Sequence, residues 1–161
     1  MYLPQADLFH GMNRELVREI MDTATKETYE REDVLFRKGE PATDFYIFLK
    51  GHVRLSLGET GQVVHMVSRG GEAFGWSSLV EREVYSATAQ CTEPTTLLKI
   101  KGKQLQEITA KDPANGMLFF KRLAGILGRR LVQSYEMMSS ASQALVSPSY
   151  GAGDLMETYV T

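Results

Sequence analysis

Between Gly70 and Ala89 the chain gathers the residue types best suited to hold a small anion. Gly71-Glu72-Ala73-Phe74-Gly75-Trp76-Ser77-Ser78-Leu79 reads as a strand end, a glycine hinge and one short helical turn. Tyr85-Ser86-Ala87-Thr88-Ala89 reads as a returning strand. Such a turn points several backbone N–H groups into one concavity, where an oxyanion accepts from them. Ser77 and Ser78 add hydroxyls, or serve as N-caps of the turn. Tyr85 adds a phenol that donates one hydrogen bond but cannot give the bidentate, charged pairing of a guanidinium. Trp76 offers a ring that stacks on a ligand or fills the space a ligand would need. Arg82 offers a cation, in a charged and solvated loop, Glu81-Arg82-Glu83.

Other chemistries find less support. His10, His52 and His65 are scattered, and no group of histidines and carboxylates converges as a metal site would require. No Ser/His/Asp, Cys/His or paired-carboxylate arrangement stands out, so neither a catalytic residue nor a metal ligand is expected, and the chain is not expected to be an enzyme. Cys91 is the single cysteine, which rules out an intramolecular disulfide and suits a reducing cytoplasm. It sits in a strand-like run and reads as packing. With 18 Lys and Arg against 20 Asp and Glu, the formal charge of −2 argues against a direct nucleic-acid binder. The start shows no basic run followed by an apolar stretch, and no apolar run approaches the ~20 residues of a membrane span.

The elements that must position these residues follow from periodicity. At 161 residues, 43% of them hydrophobic, the chain suits one domain with a sizeable core. Leu16, Val17, Ile20 and Met21 predict an amphipathic helix over Asn13 to Ala24, with Asn13 as N-cap and Leu8 and Phe9 as an apolar anchor before it. From Thr28 to Ile100 the pattern is that of strands: Val34 to Phe36, Phe45 to Leu49, a turn at Lys50-Gly51, then Val53, Leu55 and Leu57 alternating with polar residues. Gly58-Glu59-Thr60-Gly61 is a hairpin turn leading to Val63 to Val67, which would place His65 opposite Arg54. Strands at Tyr85 to Cys91 and Thr95 to Ile100 complete a small barrel or jelly roll. Leu105 and Ile108 mark a short helix. Asp112-Pro113 opens a long one, expected to end near Met138, with residues 140–161 a loose tail beyond a domain of residues 1–139.

Four pieces in order resemble the cyclic-nucleotide-binding domain family, as found in catabolite activator-type regulators. They are Leu35-Phe36-Arg37-Lys38-Gly39-Glu40-Pro41-Ala42, the run Phe45 to Leu55, Gly70 to Gly75, and Ser86-Ala87-Thr88-Ala89. The resemblance covers Leu8 to Met138. It implies a mainly β fold with flanking helices: a double-stranded β-helix, or jelly-roll-like β-roll, with an N-terminal helix, a short helix and a long C-terminal helix. In that family a Glu after the Phe-Gly pair grips the ribose and an Arg nine residues on grips the cyclic phosphate. Those places here hold Trp76 and Tyr85. Carried over by position, the ligand-contacting residues are Phe74, Gly75, Trp76, Ser77, Ser78, Tyr85, Ser86 and Ala87. Arg130 joins them because the family's long helix lids the pocket. A cyclic nucleotide or another small anion is the implied ligand, with no cofactor, and cyclic AMP is expected to bind weakly.

The long helix carries a stripe of Phe120, Ala124, Leu127, Leu131 and Met138 beside a second one of Phe119, Leu123 and Ile126. Two stripes suit two neighbours, the β-roll and the same helix of a second copy, so a homodimer is expected. Activator-type proteins continue into a helix-turn-helix, whereas 23 residues follow Met138 here. The chain therefore reads as a regulatory, signalling sensor domain. The alternatives are a ligand-free module for a protein partner, and the sensor half of a transcription regulator without its own DNA-binding part.

Overall fold

The computed structural model describes residues 6–58 and 61–146. The expected turn residues Glu59 and Thr60, and residues 147–161 of the expected tail, lie outside them. The chain divides into two compact units, Met1–Gly125 and Ile126–Thr161.

The first unit opens on a 3-10 turn, Asp7–Phe9, whose Leu8 and Phe9 are buried as the apolar anchor requires. Helix α1, Arg14–Thr23, follows, and the Asn13 side chain accepts from the Glu15 N–H as its N-cap. Six antiparallel strands come next: β1 (Thr25–Tyr29), β2 (Val34–Phe36), β3 (Asp44–Leu57), β4 (Gln62–Val67), β5 (Ala73–Phe74) and β6 (Thr88–Lys101). Their pairing order is β1-β6-β3-β4, with β2 also on β6 and β5 also on β3. Helix α2, Gly102–Lys111, leads into α3, Pro113–Val146, and the Asp112 carboxylate accepts from the Asn115 N–H at its start.

Alternation along β3 and β6 builds two apolar layers, because successive side chains leave opposite faces. Inside the roll lie Phe36, Tyr46, Phe48, Val53, Val67, Phe74, Tyr85, Ala89, Cys91 and Leu97. On the other face the Phe45 ring meets Phe119 of α3 edge-on at 6.4 Å, and Phe9 packs on Phe119 from the N-terminal turn. Phe119 and Leu123 are thus the stripe of α3 that serves its own domain, buried to 0% and 3% exposure.

Four expectations are corrected. Lys50-Gly51 is not a turn: β3 runs unbroken for 14 residues, with irregular register there. Gly51 has φ +111°, and a Cβ on it would stand 2.5 Å from Thr95 Oγ1, so the glycine admits a bulge where β6 crosses closely. The two strands expected between Tyr85 and Ile100 are one, β6, which starts at Thr88. His65 faces Leu55 rather than Arg54. Near the hairpin the register is the expected one, Leu57 with Gln62 and Ser56 with Val63, but the ladder then skips Val64 and shifts by one. Finally, α3 does not end at Met138 but runs to Val146, because Ser139 to Val146 holds no Gly or Pro and its Ala and Gln residues favour helix.

Candidate functional site

The turn between β5 and β6 has the anticipated local form. β5 pairs Ala73 with Ile47 and Phe74 with Tyr46. Gly75 then takes φ +79°, and a Cβ there would stand 2.8 Å from the Asp44 carbonyl, so both conformation and space select glycine. A 3-10 turn over Trp76–Ser78 follows. Its closing N–H groups are already engaged: Ser78 N–H donates to Gly75 O at 3.1 Å and Leu79 N–H to Trp76 O at 3.0 Å. The Ser78 hydroxyl also donates back to Gly75 O, at 2.8 Å, so it is not the N-cap considered from the sequence. Ser77 is buried beside it.

Residues 83–85 form the return arm against residues 39–42. Ala42 N–H donates to Glu83 O, Tyr85 N–H to Glu40 O and Gly39 N–H to Tyr85 O, each at 2.9 to 3.0 Å. This carries the Tyr85 ring into the roll, where it is 4% exposed and stacks on Phe36 with centroids 3.7 Å apart. The neighbouring Tyr46 and Phe74 rings stack at 5.0 Å. The Tyr85 hydroxyl donates to Asp44 O at 2.8 Å and accepts from Asp44 N–H at 2.9 Å. Its proton, which the sequence would offer to an oxyanion, thus goes to a backbone carbonyl. Burial raises the Tyr85 pKa above its ordinary value, against the opposing pull of the Asp44 N–H, so the phenol stays protonated.

The remaining polar groups are arranged around this core. Arg82 is exposed, as its charged loop suggested, and its guanidinium lies 5.9 Å from the Trp76 ring centroid, a cation–π contact. Lys99 stands within 3.9 Å of the Asp44 carboxylate and 4.0 Å of Glu27, which also accepts from the Tyr29 hydroxyl. His65 Nε2 meets Glu72 Oε2 at 3.1 Å just ahead of β5. Burial pushes the Glu72 pKa up, but the bonds from His65 and from the Arg69 and Ser68 backbone outweigh it, and the net shift is downward. Burial raises the Cys91 thiol, so this packed cysteine is a poor nucleophile. Among the described residues no group of three or more His, Cys, Asp or Glu could hold a metal ion.

Of the residues singled out from the sequence, Phe74, Gly75, Ser77, Ser78 and Tyr85 are buried and Trp76 is half-buried. Ser86 and Ala87, half-buried, lead into β6. Arg130 lies in the second unit, half-buried and engaged. Sequence reasoning missed the partners that hold these residues: Phe36 and Asp44 on Tyr85, and α2 on Ser78. Gln106 Nε2 donates to Ser78 O at 3.2 Å, and a Cβ on Gly102 would stand 2.3 Å from that same oxygen.

The cyclic nucleotide-binding domain family matches residues 26–112, from β1 to the residue after α2. The chain belongs to the cyclic nucleotide-binding domain family. A Rhodopseudomonas palustris protein assigned as a potassium channel is 30% identical over 140 residues, which cover 87% of this chain and 34% of that one. The chain thus spans about a third of that relative's length. Among solved structures, a Geobacter metallireducens protein assigned to cyclic nucleotide binding superposes with a TM-score of 0.69 at 25% identity, over 77% of this chain and 91% of that one. The Thermus thermophilus catabolite activator protein superposes with a TM-score of 0.67 at 27% identity, over 84% of this chain and 63% of that one. The mainly β roll with three helices is the architecture of this cyclic nucleotide-binding domain. No helix of the described residues is long and apolar enough to cross a membrane.

Proposed function

We propose that the chain is a non-enzymatic regulatory sensor of the cyclic-nucleotide-binding type, cytoplasmic, whose cassette does not take cyclic AMP through its family's contacts. The observation that carries this reading is Tyr85. It occupies the place of the phosphate-binding Arg, is 4% exposed, and uses its hydroxyl on the Asp44 backbone. Trp76, in place of the ribose-binding Glu, has no carboxylate to accept from a ribose. Losing a charged, bidentate phosphate contact typically costs a few kcal/mol, or orders of magnitude in affinity.

A small anion or differently shaped nucleotide entering along the half-buried Trp76, Ser86 and Ala87 is the sensor reading. The engaged hydroxyl of Tyr85 also favours a second reading, a ligand-free module that acts through a protein partner. A thermal-shift series with cyclic AMP, cyclic GMP and simple oxyanions separates them, because a ligand that binds only the folded state raises the midpoint. A saturable rise with one compound supports the sensor; no rise with any supports the interaction module.

The output is proposed to pass through a homodimer along α3. Leu131 and Met138 are 51% and 62% exposed, and Phe120, Ala124 and Leu127 extend the same stripe. Regulation of a separate effector, a channel or a DNA-binding partner, fits the company this domain keeps among its relatives.

A further inference from the structure

We infer that the Tyr85 phenol is an internal latch that ties the cassette turn to the start of β3 and, through it, to α2, so that the position of α2 is held without any ligand. Tyr85 grips both backbone groups of Asp44. The preceding carbonyl, Thr43 O, accepts from Gly102 N–H, the first residue of α2, at 2.9 Å. Gly102 lies against Ser78 O with room for no Cβ, and Gln106, one turn on, donates to the same oxygen. Gly75, at the head of the turn, backs onto Asp44 O. Gly75 and Tyr85 thus meet at Asp44, and Ser78 meets the first turn of α2.

The chemistry of the phenol suits this task. It is donor and acceptor at once, so it satisfies an N–H and a C=O of the same residue, which neither a phenylalanine nor a guanidinium does. The ring is fixed by the Phe36 stack, so the hydroxyl has little freedom to lose. Coupling between the two ends is reciprocal: if Tyr85 holds α2 in place, α2 holds Tyr85. The inference concerns contacts within the chain and stands or falls independently of whether a ligand binds the cassette.

Residue-resolved amide exchange on the full chain tests it. Tyr85→Phe keeps the ring and removes the hydroxyl. The Asp44 amide loses its acceptor trivially. The informative amides are Ser78, Leu79 and Gly102, none of which bonds to Tyr85. They are expected to exchange roughly tenfold faster, the equivalent of one hydrogen bond, while amides of the β3–β6 ladder keep their protection. Acceleration confined to Asp44, or spread evenly over the ladder, would overturn the latch. Should Tyr85→Phe fail to fold, Gln106→Ala asks the question from the other end. The Asp44 amide, remote from that substitution, should then exchange faster, and an unchanged Asp44 rate would refute the coupling.

Discussion

Tyr85 is at once core and bracket: its ring stacks on Phe36 and its hydroxyl holds both backbone groups of Asp44. A guanidinium at that place would enter a position 4% exposed, against the face of Phe36 and beside the Asp44 backbone. Tyr85→Arg alone is therefore expected to lower stability by about 3 kcal/mol in chemical denaturation, through an underpaired buried charge and a lost stack. A loss below about 1 kcal/mol would mean the interior adapts to an arginine easily. Glu72 contributes to the pH dependence of stability. Its folded pKa lies below the ordinary 4.5, so its contribution is complete above about 4.5 and disappears as pH falls through the lowered folded value. Glu72→Gln should flatten the acid limb of the stability curve in that window, and superimposable acid limbs for the two proteins would remove Glu72 from the account. The identity of the residues at the cassette was legible in the sequence, since glycine spacing and the Trp76 and Tyr85 positions are local. Their partners were not, because Asp44 meets Tyr85 from 41 residues away and only the fold brings them together.

The elements hold the site by close approach of backbone to backbone. Gly102→Ala should gain about 1 kcal/mol of helix propensity, yet its Cβ would stand 2.3 Å from Ser78 O. Overpacking against backbone typically costs about 1 to 3 kcal/mol. The net expectation is a lower midpoint in thermal unfolding; a higher one would show that α2 shifts away from the turn freely. Phe119→Ala, at the meeting of α3 with Phe45 and Phe9, should cost about 3 to 5 kcal/mol as a core cavity. A loss near zero in the same denaturation series would contradict the stripe assignment. Helix caps at Asn13 and Asp112 and the strand alternation were readable, because each depends on neighbours a few residues away. The bulges at Gly51 and Val64 were not, because they arise from how β3 fits β6 and β4 across the sheet. The end of α3 was missed because serines at 139, 140 and 142 resemble a linker in composition while the backbone stays compatible with helix.

At the scale of the whole molecule, the chain has a cyclic nucleotide-binding fold and a long helix, α3, on which Leu131 and Met138 are exposed. The dimer proposal predicts that the wild type sediments as a dimer at micromolar concentration and that Leu131→Glu, at a side chain 51% exposed in one copy, gives folded monomers. A monomeric wild type would end that proposal. The central claim, that the domain has the fold of its family without the family's cyclic AMP contacts, is tested most directly by isothermal titration of the full chain with cyclic AMP. The account predicts no saturable heat at micromolar ligand and at most weak binding in the millimolar range; a micromolar dissociation constant would contradict it.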